Sequence, residues 1–138
     1  LFTHLLFRKD DILILDMYAG VEHLGRATVD FVDALVIVVE PTRRSLGTAA
    51  QIKKLANDIG LGRCFLVGNK VRDEDEAAFI HKESPGLPVL GVIPADLRVQ
   101  EADRLNLPVY DYVPPFKNTA QLLANELAIK LAHRYDEK

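Results

Sequence analysis

The run Asp10-Asp11-Ile12-Leu13-Ile14-Leu15-Asp16-Met17-Tyr18-Ala19-Gly20-Val21-Glu22-His23 decides how the rest of the chain is read. Its four successive aliphatic residues, Ile12 to Leu15, show no apolar–polar alternation. Such a run predicts a strand covered on both faces, the habit of a parallel α/β sheet. The run ends directly in Asp16. A carboxylate at the end of a buried strand is unfavourable unless something binds it, and ligands of open α/β sheets gather at the carboxyl ends of strands. A hydrated Mg²⁺ suits such a group, because the ion keeps its waters and takes few carboxylates. Gly20, four residues on, lets a backbone N–H approach a phosphate unobstructed. Glu22 and His23 can carry or relay protons. The bland alternative is that Asp16 caps the turn after its strand and Gly20 supplies a positive φ. Residue chemistry alone leaves both open.

The same grammar repeats along the chain. Buried-type strands are expected at Ala34–Val39, Arg63–Val67 and Pro88–Ile93, in addition to Asp11–Leu15. Helical patterns lie between and after them. Leu1–Lys9 reads as the tail of a helix with a basic end. Glu22–Phe31 places Leu24, Ala27 and Phe31 on one side. Arg44–Ile59 carries the apolar stripe Leu46, Ala49, Ile52, Leu55, Ala56 and Ile59, with Gly60 as its stop. Asp73–Lys82 has acids first and a lysine last, in accord with the helix dipole. Val99–Leu105 is a brief helix, and Leu107–Tyr112 is expected to be extended and irregular. Pro114-Pro115 should break the chain before a closing helix, Asn118–Arg134, whose buried face is Leu123, Leu127 and Leu131. Arg43 and Arg44 oppose the dipole of the helix they begin. They are either solvated or in contact with a partner subunit or an acidic group.

Strand and helix alternate throughout, so the expected fold is α/β: a three-layer parallel sheet with helices on both faces, residues 1–138 forming a single domain. At 138 residues the chain is long enough for a proper core. A net charge of −3 offers no basic footprint, so no nucleic-acid partner is expected. No apolar run approaches the ~20 residues of a membrane span, so no membrane role is expected. A single cysteine rules out an internal disulfide and fits a reducing, cytoplasmic setting. Cys64, within Arg63-Cys64-Phe65-Leu66-Val67, reads as a buried small hydrophobe. The four histidines lack the i, i+4 spacing of a helical metal site.

The run Asp16-Met17-Tyr18-Ala19-Gly20-Val21-Glu22-His23-Leu24-Gly25-Arg26 resembles the Walker B and switch II segment of the CooC-type ATPases. These accessory proteins serve nickel insertion into carbon monoxide dehydrogenase, within the MinD/ParA/NifH-like group of P-loop NTPases. The resemblance continues through Glu40-Pro41-Thr42-Arg43-Arg44-Ser45, Val67-Gly68-Asn69-Lys70-Val71-Arg72 and Gly91-Val92-Ile93-Pro94-Ala95-Asp96. It implies an ATP-binding, P-loop NTPase-like fold, Mg²⁺ held by Asp16 through water, and a γ-phosphate contact at the Gly20 amide. Glu22 and His23 would belong to the switch. It also implies a homodimer with carbon monoxide dehydrogenase as client.

The family's Gly-Lys-Ser/Thr phosphate loop has no counterpart here. Gly68-Asn69-Lys70 lacks the Gly-x-x-x-x-Gly-Lys spacing that rings a phosphate with amides. The Cys-x-Cys pair that would hold nickel or zinc is missing too. The expectation is therefore the C-terminal part of a longer protein, with ATP hydrolysis and nickel handling belonging to the whole. The phosphate-loop strand of such proteins usually lies between the strands expected at Ile12–Leu15 and Leu35–Val39, so an exposed edge and self-association are expected. The chain alone should bind ATP weakly or not at all.

Asn69-Lys70-Val71-Arg72 resembles the Asn-Lys-x-Asp motif with which GTPases read guanine. That Asp accepts two hydrogen bonds from guanine; Arg72 stands in its place and has donors only. Adenine is thus the expected base. Asn69 can donate and accept, and the stem of Lys70 or Arg72 can lie along the ring. By resemblance Pro94, Ala95 and Asp96 border the base. The alternative is that Asn69 only stabilises its own turn. Two other functions compete: a ParA/MinD-like positioning ATPase, and a non-catalytic α/β module that binds protein.

Overall fold

The computed structural model describes residues 12–17 and 32–132. The helices expected at Leu1–Lys9 and Glu22–Phe31 lie outside them. Three strands form one parallel sheet in the order β1-β2-β3: β1 is Leu35–Val39, β2 Cys64–Val71 and β3 Val89–Pro94. Helix α1, Arg43–Asp58, crosses from β1 to β2, and α2, Glu74–Glu83, crosses from β2 to β3. Three helices follow: α3 (Leu97–Arg104), α4 (Val109–Tyr112) and α5 (Pro114–Ala132).

Side chains alternate across the strands with period two, and each face has its own core. On one face Ile37, Val39, Cys64 and Leu66 pack with Leu46, Ala49 and Ala56 of α1 and Ile80 of α2. On the other, Phe65, Val67 and Leu90 meet Leu123, Leu127 and Leu131 of α5. Both crossovers step the same way across the sheet, which puts α1 and α2 on the same side. The expected three-layer α/β arrangement is therefore present, and the stripes expected on α1 and α5 pack, except that Leu55 of α1 is exposed.

Four expectations are corrected. The run Ile12–Leu15 is not a strand, and Ile12 and Ile14 are 90% and 85% exposed. An all-apolar strand forms only where neighbouring strands complete its ladder and two layers cover it; β1, the end strand, pairs with β2 alone among the described residues. Secondly, β2 runs on through Asn69, Lys70 and Val71, where a loop was expected, with a register shift between Gly68 and Val71 and Lys70 at φ 57°. A bulge thus takes up the turn. Thirdly, Val109–Tyr112 is a helical turn, its N–H groups at Asp111 and Tyr112 donating to Pro108 O. Finally, Pro114-Pro115 begin α5 instead of breaking the chain before it. Proline fits a first helical turn because its φ is already helical and the N–H it lacks has no intrahelical partner there.

Candidate functional site

The carboxyl ends of β1, β2 and β3 converge on one rim. Glu40 follows β1, Asn69 to Arg72 end β2, and Pro94 to Asp96 leave β3. The Ala95 N–H donates to Val71 O at 2.8 Å, and Val71 is in register with Pro94. These bonds bring the two expected base-bordering segments together. Most side chains on the rim are exposed and each strand end carries an ion pair.

At β1, Glu40 Oε1 accepts from Lys70 Nζ at 2.6 Å, which ties the ends of β1 and β2. The Glu40 N–H donates to Ser45 Oγ at 3.0 Å, and the Ser45 N–H donates to Thr42 Oγ1 at 3.2 Å. Thr42 thereby caps α1, and the Glu-Pro-Thr-Arg-Arg-Ser run closes on itself as a turn. Arg43 lies 3.7 Å from Glu83 with its own side chain 82% exposed, so the two arginines stay largely in solvent.

At β2, Asn69 Oδ1 accepts from the Lys70 N–H at 2.9 Å. Asn69 therefore does stabilise its own turn. Its amide N–H₂ makes no hydrogen bond to another described residue. Arg72 is held by α2. Its backbone N–H donates to Glu76 Oε2 at 2.8 Å, its Nε donates to Oε1 at 2.7 Å, and Nη2 donates to the same oxygen. These bonds hold the Glu76 carboxyl below, and the Arg72 guanidinium above, its ordinary value. Asp73 accepts from the Glu76 N–H at 2.8 Å and caps α2.

At β3, Asp96 accepts from the Arg98 N–H at 2.9 Å and caps α3. Arg98 also donates from Nε at 3.0 Å and Nη2 at 2.6 Å. Those side-chain bonds, then the backbone one, pull the Asp96 carboxyl down to about 2. Asp96 is thus engaged with its own helix, and the groups left to border a planar ligand are Pro94 and the Ala95 backbone.

Of the phosphate-side candidates, Gly20, Glu22 and His23 lie outside the described residues. Asp16 is exposed in an irregular segment and makes no hydrogen bond to another described residue. Its carboxylate fits water-mediated binding of Mg²⁺, a mode that needs one exposed oxygen donor and few ligands. Among the described residues no group of three His, Cys, Asp or Glu side chains gathers to hold a metal directly. No helix among them is long and apolar enough to cross a membrane.

Two rim residues escaped the sequence reading. Glu76 was legible: it stands four residues after Arg72 on a predicted helix, and Asp73-x-x-Glu76 is a capping pattern. Glu40 was not, because its partner Lys70 is thirty positions away and the pairing depends on the β1–β2 register.

The chain is similar to three proteins over most of its length. It is 42% identical to an uncharacterized ATP-binding protein of Methanocaldococcus jannaschii, covering 86% of this chain and 52% of that one. It is 41% identical to the carbon monoxide dehydrogenase accessory protein CooC of Rhodospirillum rubrum, covering 89% and 47% respectively. A second uncharacterized ATP-binding protein of M. jannaschii is 31% identical, at 90% and 49%. The chain thus spans about half the length of the curated relatives it matches. No protein-family model matches it.

Proposed function

We propose, for a chain that is homologous to CooC and belongs with these ATP-binding proteins, that it supplies the base-reading rim and the switch segment of an ATP-dependent accessory protein. The observation that supports this most is the joining of Asn69, Arg72 and Pro94–Ala95 at the carboxyl edge of a parallel sheet. Ligands of such sheets bind at that edge. The rim offers N–H donors from Asn69 and Arg72 and the apolar edge of Pro94, a setting for adenine. The client is carbon monoxide dehydrogenase and the task nickel insertion, with ATP hydrolysis belonging to the longer protein, a homodimer in a reducing cytoplasm.

In this reading residues 1–138 form one nucleotide-binding domain together with the phosphate loop. Asp16 would hold Mg²⁺ through water, and the ion would supply charge neutralisation on the phosphates. The Gly20 amide donates to the terminal phosphate, and loss of that phosphate releases Gly20–Arg26. Glu22 and His23 transmit that change to the dimer.

Steady-state kinetics of the complete protein test the assignment. Asp16→Asn abolishes most ATP turnover, and Asn69→Ala raises KM for ATP several-fold with kcat nearly kept. Unchanged turnover in Asp16→Asn, or a loss in Asn69→Ala confined to kcat, would overturn it.

A further inference from the structure

Arg72 and Glu76 are locked to each other by three hydrogen bonds at the end of β2. The first turn of α2 fixes Glu76, whose own N–H is bound to Asp73. Glu76 then takes three N–H groups from Arg72, one from the backbone and two from the guanidinium. The Glu76 side chain is 15% exposed and that of Arg72 76% exposed. The carboxylate is therefore tucked beneath the guanidinium, which faces outward. Nη1 makes no hydrogen bond to another described residue, so the pair presents donors to the rim and hides its acceptors.

That polarity discriminates between purines. On the Watson–Crick edge guanine presents two N–H donors, which need an acceptor such as a carboxylate, beside one carbonyl acceptor. Adenine presents one donor and one acceptor. A donor-only surface can donate to the one acceptor of either base, but it leaves two N–H groups of guanine unpaired against one of adenine, and sites built around specific hydrogen bonds disfavour the ligand with more unpaired polar groups.

We propose that Glu76 is the positioning residue for Arg72 and that the pair sets adenine-over-guanine selectivity. Glu76 holds the guanidinium at the rim, and Arg72 in turn covers a carboxylate that would otherwise accept from guanine. The proposal rests on the nucleotide-binding reading above and adds its specificity element.

Equilibrium binding of MgATP and MgGTP to the complete protein, by competition against a fluorescent nucleotide, tests it. Glu76→Gln weakens MgATP about tenfold, the scale of a lost charge-assisted hydrogen bond, and leaves MgGTP unchanged. Arg72→Ala uncovers Glu76, so MgGTP binds more tightly while MgATP weakens. Thr42→Ala, which removes the cap of α1 and touches neither Arg72 nor Glu76, lowers thermal stability but keeps the ATP-to-GTP ratio. If Glu76→Gln does not fold, the Arg72→Ala ratio decides. Wild-type binding of MgATP with ratios unchanged in both variants overturns the selectivity proposal alone. Failure of the wild type to bind MgATP overturns the nucleotide reading as well.

Discussion

A β-carbon added to Gly68 would meet Ile80 Cδ1 at 2.6 Å and Val92 Cγ1 at 3.0 Å. Ile80 is fully buried between α2 and the sheet, so it has no room to retreat. Gly68→Ala is therefore expected to destabilise the chain by about 1–3 kcal/mol, the usual range for overpacking. Urea denaturation measures it, and a loss under ~0.5 kcal/mol would show that the α2–β2 contact is loose. The same residue opens the bulge that turns Lys70 into the left-handed region. Cys64 behaves as its apolar surroundings predict: burial pushes its thiol up, with Lys53 opposing in part. At this scale the sequence announced residue types well and partners unevenly. Glu76 follows from i, i+4 spacing, whereas Glu40–Lys70 exists only once two strands are in register.

Helices announce their beginnings by side chains that accept from their first N–H groups, and three do so here: Thr42, Asp73 and Asp96. The Asp96 cap carries a pH signature. Its carboxyl sits at about 2 in the folded chain against an ordinary 3.8. The folded value is the lower one, so the stabilisation is complete above the unfolded value and fades as pH falls through the folded one. Asp96→Ala should lower the denaturation midpoint at pH 5 to 7, and the difference from wild type should shrink towards pH 2. A constant difference across that range would mean that Asp96 acts through packing alone. Elements with strong periodicity were legible, because one apolar stripe suffices to place α1 and α5 on the sheet. Elements whose state depends on neighbours were not. Ile12–Leu15 has the composition of a central strand and none of its company, and Pro114-Pro115 could equally end one segment or start the next.

The described residues form three layers around a short parallel sheet, with an ion-paired rim at the carboxyl edge and, among them, the outer edge of β1 unpaired. An apolar edge strand of this kind invites a further strand. The relatives it matches are about twice its length. The fold class was legible because alternation of strand and helix is a property of the chain as a string. The pairings on the rim were not, because Glu40 and Lys70 meet only in space. Under the proposed function this chain provides the rim, and the phosphate cradle comes from the half of the relatives that it does not match. Isothermal calorimetry with MgATP tests it directly, on the 138-residue chain and on the same chain joined to the remaining half of the R. rubrum relative. The account predicts no micromolar binding to the chain alone and micromolar binding to the joined protein. Micromolar binding to the chain alone, or a folded joined protein that takes up no MgATP, would contradict it.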